Sequence, residues 1–358
     1  MTSAQRVVPP DHDRRVLVTG LQGFTGHHLA KELEANGYEV WGLGDVTPTF
    51  QRCVKADLLD LASLKQAVLA AKPHYVIHLA GVAFVGHGQP KAFYDVNLVG
   101  TRNLLEALEP VTADLRCVLL ASSANVYGNL QGGLLSESNP VNPANDYAVS
   151  KLAMEYMARL WLPKIPVVLA RPFNYTGIGQ SESFLIPKIV SHFVRKQSAI
   201  ELGNMDVWRE FNDVRDVAHA YRKLIEAAPI GQTVNVCSSN LVSLKEALAL
   251  ATELTGHQIQ VRINPQFVRA NEVLKLGGDT TLLKQFVPDW QPRRLRETLA
   301  GVAELHAPRA AVEQHFAERL LQRLHRACHR LRRDLAHAGI DVGQRFFHLV
   351  DQDQAQIT

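Results

Sequence analysis

The sequence is poor in the features that mark disulfide-rich, metal-binding, membrane-spanning or nucleic-acid-binding proteins. Four cysteines in 358 residues are few, and they form no C-x-x-C pair, so neither a disulfide framework nor a metal site such as zinc is indicated. A reducing, cytoplasmic setting is expected instead. No apolar run is long enough to cross a membrane. The formal net charge of +3 is too small to require nucleic acid as a partner.

The start of the chain also lacks a recognisable targeting signal. Residues 1–14 are polar, contain two adjacent prolines and have no apolar core of the kind that a signal peptide needs. We therefore expect a flexible leader over residues 1–14. With 46% hydrophobic and 20% charged residues, the rest of the chain can form a buried core and is long enough for one large domain or two ordinary ones.

Three glycines follow the first apolar run of the chain. The run ends at Thr19, the glycines Gly20, Gly23 and Gly26 stand three apart, and apolar residues then recur at helical spacing. Without a Cβ, such a turn brings backbone N–H groups and the positive end of a helix dipole against a pyrophosphate. Turns also collect glycine for conformational reasons alone. The position behind the first strand of an alternating chain nevertheless predicts a dinucleotide site.

An acidic residue follows the second predicted strand, which covers residues 38–43. Asp45 lies roughly twenty residues past the glycines, where a dinucleotide fold binds the adenosine ribose hydroxyls. A carboxylate there repels a 2′-phosphate, so the sequence leans slightly towards NAD(H) over NADP(H) as the cofactor. Two other interpretations stay open, because Asp45 is equally suited to a solvated turn and Arg52 is close enough in sequence to reach a phosphate.

Apolar strands and helices alternate from residue 15 to about residue 170. Further strands are predicted at residues 54–58, 75–79, 117–121 and 166–170, and helices at 61–71 and 92–108. Strands that are apolar almost throughout imply a parallel sheet covered by helices on both faces. The predicted fold class is therefore α/β, a Rossmann-like doubly wound sheet with its ligand at the carboxyl ends of the strands.

The alternation ends near residue 170. A loop rich in turn-forming residues covers 171–180, and a strand-like run at 233–237 returns towards the sheet. We predict a dinucleotide-binding domain over residues 15–180 with a return near 213–240, and a smaller, split α/β substrate lobe over 181–302. The site is expected between them.

The last part of the chain, residues 303–358, differs again in composition. It is rich in arginine and histidine and has no lysine, and Leu324, Cys328, Leu331 and Leu335 stand at coiled-coil-like spacing. An appended amphipathic helix with a basic, solvated face is the simplest interpretation. A tail that binds a partner or nucleic acid and an altered reading frame are the alternatives.

Tyr147 and Lys151 stand four residues apart in a predicted helix, so both side chains project from one face. A single Tyr-x-x-x-Lys occurs by chance in many chains, but this one follows a strand that ends in Ser122-Ser123. Together with the glycine turn, the set resembles the extended short-chain dehydrogenase/reductase family over about residues 15–302. The family pattern is also matched by residues 78–81, Asn97 and residues 171–174.

The chemistry of these residues is hydride transfer accompanied by a proton. A phenol has an ordinary pKa of about 10, and we expect the ammonium of Lys151 and a positive nicotinamide ring to lower the pKa of Tyr147. Tyr147 would pass a proton to a carbonyl oxygen, Ser123 would hydrogen-bond that oxygen, and Lys151 would hold the nicotinamide ribose. The resemblance implies cofactor contacts from Gly20, Gly23, Phe24, Thr25, Gly26, Asp45, Asp57, Leu58, Leu79, Ala80, Gly81, Asn97, Tyr147, Lys151 and Arg171.

The two residues that follow Ser123 limit which reactions of the family are expected. Dehydratases of this family carry an Asp-Glu pair there, and the enzymes that make GDP-fucose place a cysteine at the second position. Ala124 and Asn125 cannot act as acid or base near neutral pH. Water elimination and C3/C5 epimerisation are therefore not expected. Hydride transfer at one carbon remains, either a net 4-keto reduction or a reversible 4-epimerisation.

The second half of the chain resembles the reductases of GDP-linked 4-keto-6-deoxyhexoses. The similarity lies mainly in residues 171–180 and 208–217. A guanidinium suits phosphate oxygens. By this resemblance a GDP-sugar is contacted by Ser123, Asn125, Asn174, Arg209 and Arg269.

Two further expectations come from the same resemblance. Tyr175 stands where close relatives are expected to carry a histidine, which is a departure from the pattern. Members commonly pair through two helices per subunit, so a homodimer is expected. Outside the enzymes, the alternative is a non-catalytic dinucleotide-binding scaffold.

Overall fold

The computed structural model describes residues 14–44, 52–82, 89–130, 133–267 and 274–306. Within these ranges the strands, in chain order, are β1 (Arg15–Thr19), β2 (Glu39–Gly44), β3 (Cys53–Lys55), β4 (Tyr75–His78), β5 (Cys117–Ala121), β6 (Leu134–Leu135), β7 (Val167–Pro172), β8 (Tyr175–Thr176), β9 (Ala199–Leu202), β10 (Trp208–Arg209), β11 (Asn212–Asp213), β12 (Thr233–Val236), β13 (Val242–Ser243), β14 (Gln260–Ile263) and β15 (Lys275–Gly278).

Seven of these strands form one parallel sheet in the spatial order β12-β7-β5-β4-β1-β2-β3. The chain builds β1, β2 and β3 to one side, then crosses to β4 on the other side of β1. Such a reversal opens a crevice at the carboxyl ends of the two strands where it occurs. The predicted α/β class with a Rossmann-like parallel sheet is confirmed.

Helices cover both faces of the sheet. In chain order, the α-helices of the described ranges, on the sheet and elsewhere, are α1 (Phe24–Ala35), α2 (Leu61–Ala71), α3 (Pro90–Phe93), α4 (Thr101–Leu108), α5 (Asp146–Arg159), α6 (Leu185–Val194), α7 (Val214–Ala227), α8 (Leu244–Thr255), α9 (Thr281–Phe286) and α10 (Leu295–His306). The bounds of α2 are those that the sequence predicts. The side chain of Asp60 accepts hydrogen bonds from two backbone N–H groups at its start, and Lys72 ends it in the left-handed conformation.

The helix predicted over residues 92–108 is present as a continuous helical run from Pro90 to Leu108, but it is not α-helical throughout. A π-helical segment, Tyr94–Gly100, lies between α3 and α4. A π-helical turn accommodates one residue more than an α-helical turn, and such turns are frequently found at functional sites.

The core lies on the two faces of the main sheet. Val16 and Val18 of β1 pack in one apolar cluster with residues of α1 and α7. Leu17, between them, packs in a second cluster with residues of α2, α4 and α5. Successive strand residues point to opposite faces. Because both faces are covered, these strands are apolar throughout, which is the pattern that made them recognisable in the sequence.

Smaller sheets follow the main one. A sheet of β13, β10, β15 and β6 and the pairs β11-β8 and β14-β9 accompany a separate apolar cluster between α6, α8 and β9. The described residues as far as Ala303 belong to one compact unit. The division at residue 180 stays a prediction. The predicted leader and basic extension lie almost entirely outside the described residues.

None of the helices that the structure describes combines the length and the apolar character that a membrane span requires.

Candidate active site

The glycine turn packs against the end of β4. Gly20 has a φ of +70°, and a Cβ placed on it would lie 2.9 Å from the backbone nitrogen of Ala80. A Cβ on Gly26 would lie 2.3 Å from the carbonyl oxygen of Leu21. Both positions therefore accept only glycine without a shift of the backbone.

The first turn of α1 is open to an anion. Its N-cap residue, Gly23, offers no side-chain cap, and the turn contains no acidic residue. Backbone N–H groups at a helix start need acceptors, and the helix dipole favours negative charge there. The absence of a Cβ on the turn and the uncapped start together fit the pyrophosphate of a dinucleotide.

A buried chain of hydrogen bonds joins the ends of β1 and β4. Thr19 Oγ1 accepts from the backbone N–H of Ala80 at 3.1 Å and lies 2.6 Å from His78 Nδ1. His78 Nε2 lies 2.9 Å from Thr101 Oγ1 on α4. Burial lowers the pKa of His78 to about 3, so its ring is neutral. These hydrogen bonds hold the ends of β1 and β4 together at the base of the crevice.

Asn97, in the π-helical segment, ties the loop after β4 to α5. Its Oδ1 accepts from the backbone N–H of Val82 at 2.9 Å, and its Nδ2 donates to the Val82 carbonyl at 3.2 Å and to Ser150 Oγ at 3.0 Å. A Cβ on Gly81 would lie 2.8 Å from Asn97 Oδ1 and 3.3 Å from Lys151 Nζ. The Asn97 side chain thus holds in place the loop after β4, which is predicted to contact the cofactor.

Ser123, Tyr147 and Lys151 meet at the carboxyl end of β5. The helix α5 starts at Asn145, whose side chain caps it, and Tyr147 and Lys151 follow one turn apart on its buried face. The Ser123 side chain lies close enough to the Tyr147 hydroxyl to lower its pKa by hydrogen bonding, and the Tyr147 ring stands edge-on to Phe93 at 6.0 Å between centroids. The three residues that the sequence predicts as catalytic are therefore brought together.

The electrostatics of this trio differ from the sequence-based expectation. Burial raises the pKa of Tyr147 to about 12, and the hydrogen bond from Ser123 opposes this only in part. Burial also lowers the pKa of Lys151 to about 8, and its Nζ donates to the Ala121 carbonyl at 2.8 Å. In the protein without cofactor the pKa of Tyr147 is thus raised, because burial is the largest influence on it and Lys151 is not among the groups that shift it.

A buried ion pair below the trio was not predicted. Arg171 and Glu155 are 4% and 1% exposed, and the guanidinium donates to both carboxylate oxygens, at 2.9 and 2.6 Å. Arg171 Nη1 also donates to the Tyr127 hydroxyl at 3.0 Å. Each guanidinium nitrogen thus donates within the protein. The expectation that the Arg171 side chain contacts the cofactor is not supported by this geometry.

The predicted substrate residues are less enclosed. Asn125 is half-buried, and its backbone N–H donates to Ser123 Oγ at 3.1 Å. Asn174 is exposed at the end of β7. Arg209, on β10, is half-buried and donates from Nη1 to the carbonyl oxygens of Trp208 and Leu274 at 2.9 and 3.3 Å.

The remaining predicted site residues follow β3 or β4 or lie outside the described residues. Asp57 is exposed after β3, where its Oδ1 accepts from the Leu59 backbone N–H at 2.9 Å, and Leu58 is buried beside it. Leu79 packs partly buried against the core. Asp45 and Arg269 lie outside the described residues. Within the described ranges, no cluster of His, Cys, Asp or Glu is suited to hold a metal ion.

Fold and site together define a dinucleotide-dependent enzyme of the reductase and epimerase type. Residues 16–237 match the model of the NAD dependent epimerase/dehydratase family, and the chain belongs to this family. The predicted resemblance to the extended short-chain dehydrogenases/reductases is confirmed.

Two curated relatives match most of the chain. The GDP-6-deoxy-D-talose 4-dehydrogenase of Aggregatibacter actinomycetemcomitans is 34% identical over 309 residues, which covers 86% of this chain and 99% of the relative. The GDP-6-deoxy-D-mannose reductase of Pseudomonas aeruginosa is 34% identical over 305 residues, which covers 81% of this chain and 96% of the relative.

Two solved structures are similar to this protein over most of its chain. A crystal structure from Burkholderia cenocepacia J2315, named provisionally as an epimerase, is 50% identical with a TM-score of 0.78, and covers 82% of this chain and 98% of its own. The Pseudomonas aeruginosa protein RMD complexed with NADPH is 31% identical with a TM-score of 0.72 and the same coverage. The predicted use of NAD(H) or NADP(H) is confirmed. The lean towards NAD(H) stays a prediction.

Proposed function

We propose that this protein reduces the C4 ketone of a nucleotide-linked 4-keto-6-deoxyhexose with NAD(P)H. The substrate we infer is GDP-4-keto-6-deoxy-D-mannose, and the product is GDP-D-rhamnose. The observation that carries the proposal is the position of the buried Tyr147 hydroxyl. It interacts with Ser123, stands one helical turn from Lys151, and lies at the edge of the sheet where the glycine turn lies.

The reaction needs a hydride and a proton at one carbonyl group. NAD(P)H, when bound, supplies the hydride to C4. Tyr147 donates its phenolic proton to the C4 oxygen, and Ser123 hydrogen-bonds the same oxygen as negative charge develops on it. Lys151 stands one helical turn from Tyr147, and we expect its ammonium to stabilise the phenolate that is left. A proton from solvent then restores Tyr147.

Tyr147 is protonated before the reaction, as a proton donor must be. With a pKa raised to about 12 by burial, the phenol carries its proton across the physiological range and is ready to donate it. The positions after Ser123 support a reaction at C4 alone, since Ala124 and Asn125 provide no acid or base for the neighbouring carbons.

A GDP-linked substrate is supported by both curated relatives, whose names specify GDP-6-deoxyhexoses. Asn174 and Arg209 are the described residues that we expect to approach the diphosphate. The guanidinium of Arg209 can form paired hydrogen bonds with phosphate oxygens, and the side-chain amide of Asn174 is a hydrogen-bond donor. Arg269 is a further candidate. We also expect a homodimer in the cytoplasm, which light scattering and cell fractionation can test.

The test is incubation of the full chain with freshly made GDP-4-keto-6-deoxy-D-mannose and either NADPH or NADH. We expect oxidation of the reduced cofactor and one new GDP-hexose, whose C4 configuration NMR identifies. Tyr147→Phe is the matched control. Oxidation that is equal in the wild type and in this variant would contradict the assignment, and so would no reaction at all.

A nucleotide-sugar 4-epimerase is the second candidate, favoured by the family to which the chain belongs. An epimerase keeps its cofactor and consumes no external reductant. Purified protein that contains one NAD per chain and interconverts a nucleotide sugar without oxidising NAD(P)H would establish this alternative.

A further inference from the structure

Tyr175, at the start of β8, joins the segment after β7 to the first turn of α1. Its hydroxyl lies 2.9 Å from Thr25 Oγ1, and its ring is stacked on Phe24 with 6.2 Å between centroids and 10° between planes. One turn further along α1, His28 Nε2 lies 2.8 Å from the carbonyl oxygen of Ile178. The two segments meet at three points although 150 residues separate Tyr175 from Thr25.

The first turn of α1 has little support from its own cap. A serine, threonine or aspartate at the N-cap normally fixes the first backbone N–H groups of a helix, but Gly23 has no side chain to do so. Phe24 and Thr25 are the first two residues of this helix. Their orientation decides where the N–H groups point. Tyr175 contacts the side chains of both.

Tyr175 also borders the catalytic trio and the predicted substrate residues. Electrostatic interaction with its phenol contributes to the raised pKa of Tyr147. Asn174 precedes Tyr175 directly. The strand β8 pairs in parallel with β11, with Tyr175 opposite Asn212. Tyr175 therefore contacts the cofactor turn through its side chain and directly follows a predicted substrate residue in the sequence.

We propose that Tyr175 is a positioning residue for the dinucleotide. It holds Phe24 and Thr25 in the conformation in which the start of α1 binds the pyrophosphate, through one hydrogen bond and one ring stack. Because Tyr175 lies next to Asn174, it also links cofactor binding to the substrate side. This second part rests on the proposed function, whereas the first concerns the binding of NAD(P)H alone.

The experiment is a fluorescence titration of the full chain with NADPH and with NADH, without any sugar. Tyr175→Phe removes the hydroxyl and keeps the stack, and Thr25→Val removes the partner at nearly constant shape. Each is expected to raise the cofactor Kd about threefold to tenfold, the effect of one lost hydrogen bond. The double variant is expected to bind no more weakly than the weaker single variant, since both changes remove the same interaction.

Tyr38→Phe is the matched control. Tyr38 also donates a hydrogen bond to a distant side chain, Glu226, at 3.2 Å, but it lies just before β2, at the amino edge of the sheet. The cofactor Kd of this variant is expected to equal that of the wild type. Thermal unfolding of every variant shows whether the fold is retained.

Two results would overturn the proposal. One is a Kd within twofold of the wild type for folded Tyr175→Phe with both cofactors. The other is full additivity of the two single effects in the double variant, which would mean that Thr25 and Tyr175 act separately. If the Kd changes occur as expected but the wild type does not turn over GDP-4-keto-6-deoxy-D-mannose, the proposed reaction fails and the role of Tyr175 in cofactor binding stands.

Discussion

The cofactor side and the substrate side of the candidate site are built differently. On the cofactor side, Asn97 and His78 are buried and bonded to other parts of the protein, and Gly26 leaves no room for a Cβ. On the substrate side, Asn174 is exposed and Arg209 is half-buried. The geometry that receives the cofactor is thus part of the fold, while substrate contacts can vary without disturbing it.

This contrast predicts that a change that leaves a buried charge without its partner, or that crowds a close contact, lowers stability, whereas a change on the substrate side does not. Glu155→Ala should have the largest effect, because it leaves the Arg171 guanidinium buried without its carboxylate. We expect the free energy of unfolding to fall by about 3–5 kcal/mol, measured by urea denaturation. Glu253→Ala is the control, since Glu253 pairs with Arg296 at the surface, where about 1 kcal/mol or less is expected. Equal losses would contradict the contrast.

Tyr147→Phe separates chemistry from stability within the catalytic trio. It removes the proton donor and keeps the buried ring, so kcat should fall about 10²- to 10⁴-fold. Steady-state assays with the GDP-sugar measure this, and the melting temperature should hardly change. Tyr156→Phe, at an exposed position of the same helix, should retain full activity. Undiminished turnover in Tyr147→Phe would remove the proposed mechanism.

Gly26→Ala tests how far the helix start depends on close packing. The added Cβ would lie 2.3 Å from the Leu21 carbonyl oxygen, so α1 must move away from the turn. A loss of about 1–3 kcal/mol in unfolding free energy is expected, together with a higher cofactor Kd. Gly44→Ala, where the added Cβ meets nothing within 4 Å, should change stability little. The packing argument is wrong if both variants behave alike.

The pH profile reports on Lys151. Its pKa is lowered to about 8, so the ammonium is present below that pH and lost above it. We expect kcat to fall about tenfold per pH unit above this pKa. The measurement is the rate of oxidation of the reduced cofactor at each pH. Lys151→Arg carries a charge that does not titrate in this range and should show lower activity without that decline. The same decline in both proteins would point to another group.

Arg209→Lys should give the smallest effect and confine it to substrate binding. The lysine keeps the charge but loses the planar fork that pairs with phosphate oxygens. We expect the KM for the GDP-sugar to rise about threefold to tenfold, with kcat, cofactor Kd and melting temperature unchanged. Arg102→Lys, on the exposed surface of α4, is the control. A loss of stability in Arg209→Lys would erase the difference between the two sides.

The sheet could be predicted because its strands are buried on both faces. β5, for example, is almost wholly apolar and has the predicted bounds, Cys117–Ala121. The predicted helix at residues 92–108 hides a π-helical segment, because a single extra residue barely changes the spacing of apolar positions. The trio of Ser123, Tyr147 and Lys151 could also be predicted, since spacing along α5 and the end of β5 determine its assembly.

The ion pair of Glu155 and Arg171 could not be predicted, because it depends on contact between α5 and β7. A signal was present, since Glu155 follows Lys151 by one turn on a face that also carries Met154 and Ala158. A charge on such a face needs a partner. The pKa of Tyr147 was missed for a related reason, because its direction depends on how completely the fold excludes water.

The orientation of α3 relative to α4 depends on the number of residues in the π-helical segment Tyr94–Gly100. Removing one residue from it would restore an ordinary α-helix and rotate α3 by about 100° relative to α4. Asn97 would then turn away from Val82 and Ser150, and the loop after β4 would lose its anchor. The segment works as a spacer of fixed residue number, so homologous chains that retain this anchor should tolerate substitutions here far better than single deletions.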